Sequence, residues 1–295
     1  MRARSIRHII SNIFVSPLLI RIFLIFRPRR FFLLFLSFFS RFIIPPAGII
    51  VRIASGSGKN LKMLLRIGSK FNQQETFYWL GIAESSVQRL FVKLINPGFI
   101  VYDIGAYLGF YSLLAGRLVK PEGRVYAFEP LPANIERIKF NIALNNFDGI
   151  VFCITKAVTD KNSKAIFNDF GRDDWGRLFN PAFFKDNASA ERKALLVETI
   201  SLDEFVFQED YPAPNLIKID VEGEEARVLM GASRLLREHK PIIICELHNF
   251  QSAQEAYGVL MRLGYDCKPW QKRKTDSIYG HIIALPKHPR FSKSI

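Results

Sequence analysis

The sequence predicts an α/β fold in which a mostly parallel, twisted sheet carries helices on both faces, preceded by a basic, hydrophobic N-terminal extension. Two observations support this fold class. From residue 99 onward, short apolar runs alternate with longer segments of helical periodicity, an order that implies a parallel sheet. The chain has 295 residues and is 49% hydrophobic, which is sufficient for one substantial core.

Seven short apolar runs are predicted as strands, and four periodic segments as helices. The strands are 99–103, 124–129, 150–155, 215–220, 241–246, 265–270 and 280–285. The helices are 109–119, 132–145, 224–237 and 252–263. Ser201 and Glu204 have the spacing of a capping box, in which each side chain accepts a free backbone N–H, so a short helix is expected to begin there.

The positive charge of the chain is concentrated at its N-terminus. The first 74 residues contain 13 Lys or Arg and no Asp or Glu, whereas the remainder, with 28 basic and 27 acidic residues, is nearly neutral. The apolar blocks of residues 1–55 are each shorter than the roughly 20 residues that span a bilayer. An interfacial anchor, a targeting segment and a packed helical extension all remain open, and we expect a membrane surface rather than nucleic acid as the partner.

The predicted organisation has four parts. Residues 1–55 form the extension, 56–98 a linker with entry helices, 99–286 the α/β domain and 287–295 a C-terminal tail. The three cysteines lie in apolar stretches without the spacing of a metal site, which is typical of buried thiols in a reducing compartment. We therefore expect a cytoplasmic protein that is peripheral to a membrane.

The turn after the first strand of the domain is the most informative segment. Asp103 ends an apolar strand, and Gly105, Ala106 and Gly109 follow in a turn of small residues that allows a ligand to approach the backbone. A dinucleotide site would require G-x-G-x-x-G, and Asp103 would set a carboxylate beside the diphosphate. S-adenosylmethionine carries an ammonium and a sulfonium and no phosphate, so an acid at this position favours that ligand.

The second strand of the domain also ends in an acid. Glu129 follows Gly109 by 20 residues, and a carboxylate at this strand end can accept hydrogen bonds from the two ribose hydroxyls of a nucleoside. Together with Asp103 and the glycines, it predicts a nucleoside-containing cofactor, S-adenosylmethionine.

These motifs resemble the FkbM-type methyltransferases, over about residues 75–286. The resemblance is carried by the following segments: Asp103-Ile-Gly-Ala, Phe128-Glu-Pro, Asn141-Ile-Ala-Leu-Asn145, Lys218-Ile-Asp220-Val-Glu-Gly223, Glu246, and Tyr78-Trp79-Leu-Gly81 with Glu84. It implies a Rossmann-like class I methyltransferase fold, S-adenosylmethionine as methyl donor, and a hydroxyl of a sugar, glycan or related small molecule as acceptor. Where the family usually reads Gly-Ala-Asn, this chain has Tyr107.

Two pairs of polar residues at the ends of the fourth and fifth strands are candidates for catalysis. Asp220 and Glu222 are two residues apart, as are Glu246 and His248, so each pair points to one side if the backbone is extended. Asp220, Glu222 and His248 are predicted as catalytic residues at the acceptor side, with His248 the best general base on its ordinary pKa. No metal is predicted, although the same side chains could hold a divalent ion that orients a hydroxyl.

Residues 168–196 mix charged and aromatic side chains without periodicity, which favours a lid over the acceptor or an ordinary surface loop. Two other functions remain open for the whole chain. One is a nicotinamide-dependent oxidoreductase, which Asp103 and the missing second glycine of the fingerprint disfavour. The other is a non-catalytic, membrane-associated scaffold that keeps the fold, for which Tyr107 is the motivating feature.

Overall fold

A computed structural model describes residues 48–65, 73–169, 176–178, 193–270 and 280–287. The predicted extension before residue 48, most of the predicted lid and the tail after residue 287 lie outside these ranges. The chain divides into two compact units, Met1–Arg89 and Leu90–Ile295, and each is described by itself. Within the described ranges, no helix combines the length and the hydropathy needed to cross a membrane.

The secondary structure, numbered along the chain, comprises the following elements. The strands are β1 (Ile49–Arg52), β2 (Lys62–Leu65), β3 (Ile100–Ile104), β4 (Arg124–Phe128), β5 (Val151–Ile154), β6 (Ala157–Val158), β7 (Ser163–Asp169), β8 (Gly176–Leu178), β9 (Lys193–Ile200), β10 (Leu216–Ile219), β11 (Ile242–Leu247), β12 (Tyr265–Pro269) and β13 (Gly280–Pro286). The helices are α1 (Gln73–Leu80), α2 (Ser85–Leu94), α3 (Phe110–Val119), α4 (Pro132–Leu144), α5 (Leu202–Phe207), α6 (Glu225–Met230), α7 (Ser233–Glu238) and α8 (Phe250–Arg262).

The first unit contains an antiparallel hairpin of β1 and β2 that the sequence patterns did not predict. The Ser-Gly stretch between the two strands is a tight turn. Gly56 has a left-handed backbone (φ 68°), and a Cβ there would lie only 2.2 Å from the carbonyl oxygen of Gly81. The side chain of Gln88 fixes this approach by donating to the carbonyl of Gly81 (3.2 Å) and accepting from the N–H of Ser57 (3.0 Å).

The second unit is built on a seven-stranded sheet with the order β12-β13-β11-β10-β3-β4-β5. The pairs β10–β11, β10–β3, β3–β4 and β4–β5 are parallel, whereas β13 runs antiparallel to both β11 and β12. All seven predicted strands of the domain are present. The predicted α/β class with a mostly parallel sheet is confirmed.

Helices cover both faces of this sheet. Tyr102 and Phe128 point to one face, where they pack in a large core with Phe205 of α5 and apolar residues of α6, α7 and α8. The neighbouring residue Asp103 points to the opposite face, where Ser112 of α3 bonds it. Since both sets of strand residues are buried, the central strands are continuous apolar runs rather than alternating ones.

A second sheet with the order β6-β9-β7-β8 lies in the same unit. Its long strands β7 and β9 pair antiparallel from Ser163↔Thr199 to Asp169↔Lys193. The expectation of an irregular segment over 168–196 is therefore wrong at both ends, where 168–169 and 193–196 are strands, and at 176–178, which is also a strand. Hydrogen bonds from neighbouring strands, rather than local periodicity, form these elements.

Two local predictions also differ from the structure. The predicted helix 224–237 is split into α6 and α7, because Gly231 packs against the backbone of Thr159 and Asp203 accepts the N–H groups of Arg234 and Leu235. The predicted capping box is half formed: the Ser201 hydroxyl accepts the N–H of Glu204 (3.2 Å). The N–H of Ser201 donates to the side chain of Asn162 instead of Glu204 (2.9 Å).

Candidate functional site

The predicted site residues meet at the carboxyl edge of the parallel strands. The strand order reverses between β3 and β10, and this is where an open parallel sheet leaves a crevice for ligands. Gly105 follows β3, Glu129 follows β4, Asp220 follows β10 and His248 follows β11. Residues that are up to 143 positions apart in sequence are therefore neighbours at one edge of the sheet.

The turn after β3 requires glycine for steric reasons. Gly105 has a φ of 76°, and a Cβ at this position would lie 1.9 Å from the carbonyl oxygen of Asp220. The N–H groups of Gly105 and Ala106 both donate to the carbonyl of Phe128 at 3.0 Å. Gly109 is also left-handed (φ 82°), and its missing side chain accommodates Ile138 of α4. The small residues thus bring β3, β4 and β10 together at their ends.

Asp103 is fully buried beneath this turn. Its Oδ2 accepts the hydroxyl of Ser112 (2.6 Å), and its Oδ1 lies 3.5 Å from Nζ of Lys218. Burial raises the pKa of Asp103, while Lys218 and the Ser112 bond act in the opposite direction. Oδ1 makes no hydrogen bond within the described part of the chain.

Lys218 is a functional candidate that the sequence reasoning missed. It is the parallel register partner of Asp103, so both side chains lie on the same face of the sheet. Its Nζ is also 3.3 Å from Oδ2 of Asp220, and it lies over the ring of Tyr111 at 5.2 Å. Lys218 is 5% exposed. It bridges the buried carboxylate of Asp103 and the carboxylate of Asp220 at the edge of the sheet. The available signal was a lysine inside an otherwise apolar strand.

Glu129 closes the other side of the turn. Its Oε2 accepts the N–H of Tyr107 and its Oε1 accepts the N–H of Leu131, both at 3.0 Å. Burial raises the pKa of Glu129 to about 7, against the hydrogen bonds from Leu131, Asn134 and Tyr107. Tyr107 itself is left-handed (φ 52°), a conformation that asparagine adopts more readily than an aromatic residue.

The three predicted catalytic residues are brought together. Nε2 of His248 lies 3.5 Å from Oδ1 of Asp220 and 3.5 Å from Oε2 of Glu222. Burial lowers the pKa of His248, but the bond to Glu225 and the charges of Glu222 and Asp220 outweigh burial and raise it to about 9. The expectation that His248 acts as a neutral base on its ordinary pKa is therefore corrected: at neutral pH this imidazole is protonated.

Two acid–histidine contacts were not predicted. Glu225 lies on α6, in a segment that the sequence predicts only as helix, yet its Oε1 is 2.6 Å from Nδ1 of His248. His281 lies on β13, where its Nε2 is 3.2 Å from Oε2 of Glu246. Burial raises the pKa of Glu246, but the His281 bond and the nearby His248 and Lys218 lower it to about 2.

Asp220, Glu246 and His248 offer three ligand atoms that lie within 4.8 Å of one another. Carboxylates and imidazole are ordinary ligands of divalent ions, so this set has suitable chemistry for a metal. It also includes Asp220, whose Oδ2 is engaged by Lys218. A site without a metal stays the prediction.

Comparison with known proteins identifies the family. The family model described as "Methyltransferase FkbM domain" matches residues 103–277. The chain is 25% identical over 168 residues to the hexuronic acid methyltransferase AglP of Haloferax volcanii, a match that covers 56% of this chain and 62% of AglP, less than two thirds of its length. It is 25% identical over 189 residues to the 31-O-demethyl-FK506 methyltransferase FkbM of Streptomyces tacrolimicus, covering 57% of this chain and 72% of that protein.

Among solved structures, methyltransferase FkbM from Methylobacillus flagellatus aligns with a TM-score of 0.44 and 16% identity, covering 71% of this chain and 52% of that one. The family match confirms the family and the class I fold predicted from the motifs, and it speaks against a nicotinamide-dependent oxidoreductase. The chain belongs to the FkbM family of S-adenosylmethionine-dependent methyltransferases.

Proposed function

We propose that this protein transfers the methyl group of S-adenosylmethionine to a hydroxyl group of a sugar, a glycan or a related small molecule. The observation that carries the proposal is one sheet edge on which a glycine turn and two strand-end acids adjoin a cluster of Asp220, Glu222 and His248. The names of two relatives, a hexuronic acid methyltransferase and a 31-O-demethyl-FK506 methyltransferase, support a hydroxyl-bearing acceptor.

The residues on the β3–β4 side fit the methyl donor. Asp103 lies buried beneath the turn with its Oδ1 ion-paired to Lys218 at 3.5 Å, and a carboxylate at this position suits a cationic ligand on the turn above it. Gly105 and Gly109 have no side chain at the turn, and Ala106 has only a methyl group. Glu129 follows β4 directly and has a carboxylate suited to ribose hydroxyls. These five residues would hold S-adenosylmethionine, which supplies a methyl group on a positively charged sulfur.

The β10–β11 side would then hold the acceptor. Methyl transfer to a hydroxyl releases its proton, so a group near the attacking oxygen must accept that proton. His248 is protonated at neutral pH and can donate from Nε2 to orient the acceptor oxygen. Asp220 and Glu222, both 3.5 Å from this nitrogen, are the proposed proton acceptors.

The decisive experiment is calorimetric titration of the full chain with S-adenosylmethionine and with NAD, repeated for Asp103→Ala and for the exposed control Asp148→Ala. We expect micromolar binding of the methyl donor alone, lost with Asp103→Ala and kept with Asp148→Ala. Methyl transfer is then assayed with glucuronic acid, a hexuronic acid, and with simple alcohols. Donor binding of normal affinity without transfer to any hydroxyl would favour the non-catalytic scaffold.

We further propose that the enzyme is cytoplasmic and docks at a membrane surface through residues 1–55, where a lipid-linked glycan would be a natural acceptor. The supporting observation is the sequence itself, with nine basic and no acidic residues among residues 1–55. Each Arg near an anionic surface contributes about 1 kcal/mol. Replacing Arg27, Arg29 and Arg30 by Gln in the full chain should weaken binding to phosphatidylglycerol vesicles about 100-fold. Unchanged binding, or equal binding to neutral phosphatidylcholine vesicles, would remove this proposal.

A further inference from the structure

Glu225 is a buried acid whose contacts go beyond those of a helix start. Its side chain is fully inaccessible to solvent. Oε1 accepts the N–H of Gly223 (2.8 Å) and contacts Nδ1 of His248 (2.6 Å), and Oε2 accepts the hydroxyl of Ser252. A buried carboxylate is costly unless such donors satisfy it. The three contacts therefore fix both oxygens of Glu225 in one orientation.

The contact with Glu225 determines which nitrogen of His248 faces the candidate site. A carboxylate only accepts hydrogen bonds, so Nδ1 must carry the proton that joins the two side chains. Nε2 is then the nitrogen that lies 3.5 Å from both Asp220 and Glu222. The hydrogen bond made by one ring nitrogen of a histidine sets the tautomer and the ring orientation, and hence the role of the other nitrogen.

The support for Glu225 comes from a separate helix. Asn249 caps α8 by accepting the N–H of Ser252 (2.8 Å). This bond uses the backbone of Ser252 and leaves its hydroxyl to donate to Glu225. Gly223 precedes α6 and Ser252 belongs to α8, so the donors to this carboxylate come from two separate segments of the chain.

We propose that Glu225, supported by Ser252, is a positioning residue that fixes the His248 ring with Nδ1–H bonded to Glu225 and Nε2 directed at the acceptor hydroxyl. When the protonated ring loses a proton at high pH, Nε2 releases it and Nδ1 keeps its own. This inference rests on the proposed function and adds a residue to it. Glu225 acts through His248 and does not itself contact the acceptor.

The first test is the tautomer of His248 in the full-length wild-type protein, measured by 15N nuclear magnetic resonance at pH 10.5, where the ring is neutral. We expect a protonated Nδ1 and an unprotonated Nε2. The opposite tautomer, which free histidine prefers, would overturn the proposal without recourse to any variant.

Three variants give a second test. Glu225→Gln keeps an acceptor oxygen and should keep the tautomer and the turnover within about tenfold, whereas Glu225→Leu should lose the tautomer and lower kcat 10- to 100-fold. Both should bind S-adenosylmethionine with wild-type affinity. Glu224→Leu is the matched control, because Glu224 is also buried but pairs with Arg227 (3.0 Å) rather than His248. If Glu224→Leu and Glu225→Leu lower kcat equally, the role of Glu225 is merely structural.

The outcomes also separate this inference from the proposed function. A protein that shows the Nδ1–H tautomer but transfers no methyl group to glucuronic acid or to other hydroxyls contradicts the proposed function, and the inference falls with it. If the protein is active but its neutral His248 is the Nε2–H tautomer, the proposed function stands and only the inference about Glu225 is refuted.

Discussion

Replacing Gly105 by Ala should damage both the fold and the cofactor turn, and Gly98 offers a matched control. Both glycines are left-handed, with φ of 76° and 82°. An added Cβ at residue 98 would meet no atom within 4 Å, whereas at residue 105 it would lie 1.9 Å from the carbonyl oxygen of Asp220. The comparison separates backbone strain from steric overlap.

The magnitudes follow from this geometry. The left-handed conformation costs a residue with a Cβ about 1–2 kcal/mol, which is the whole expected loss for Gly98→Ala. At residue 105 the overlap must be relieved by a movement of about 1.5 Å in one of two strand ends, and such overpacking costs a further 1–3 kcal/mol or so. We therefore expect a loss of about 2–5 kcal/mol in the free energy of unfolding for Gly105→Ala.

Urea denaturation of the wild type and both variants measures these losses in stability. Calorimetric titration measures how tightly each protein binds S-adenosylmethionine at the turn. Gly98→Ala should bind the donor normally, while Gly105→Ala, where it folds, should bind it at least tenfold more weakly. Equal stability losses for the two variants, together with normal donor binding by Gly105→Ala, would refute the inference that this close approach shapes the site.

Three further predictions concern charges and strain at the same turn. Lys218→Met should cost about 3–5 kcal/mol in the free energy of unfolding, because it leaves the buried carboxylate of Asp103 uncompensated, whereas Lys156→Met at an exposed pair should cost less than about 1 kcal/mol. Equal losses would contradict this reasoning. The pKa of Glu129 is about 7, and ribose hydroxyls bind its ionised form, so donor affinity should rise with pH through 7 and fall about tenfold from its plateau by pH 6. Titrations of Glu129→Gln should show no such dependence. Tyr107→Asn should stabilise the fold by about 0.5–1 kcal/mol in urea denaturation, since asparagine tolerates φ of 52° better; a loss of stability would mean that the tyrosine ring contributes more than its backbone strain costs.

The main sheet was predictable because its strands carry the signal within themselves. β3, β4, β10 and β11 are buried on both faces, so they are short apolar runs that stand out between periodic helices. The small second sheet lacks this property. In β9, Leu196 is 68% exposed while Val197 is buried, and the strand exists because β7 pairs with it from Lys193 to Thr199. A pairing between distant segments leaves little trace in local periodicity.

For the candidate site, sequence patterns predicted at which strand ends the residues lie. Asp220 and His248 could be assigned to one edge because parallel strands direct their carboxyl ends to the same side. The side-chain partners could not be assigned in this way. His281 reaches Glu246 only because β13 enters the sheet antiparallel beside β11, which sequence spacing does not show. Lys218 meets Asp103 only through the register of β10 against β3.

The charge state of His248 is the clearest case in which residue type and environment disagree. Its ordinary pKa favours a neutral base, and that reasoning treats the residue alone. Glu225 bonds one ring nitrogen, and Asp220 and Glu222 lie 3.5 Å from the other, so the protonated ring is the form that these acids stabilise. A protonated imidazole among acids cannot take the proton of a hydroxyl, but it can hold the oxygen while a carboxylate takes that proton. The assignment of acid and base within this cluster therefore depends on the acids that keep the ring protonated. Glu225 is one of them, although sequence patterns assign it only to a helix.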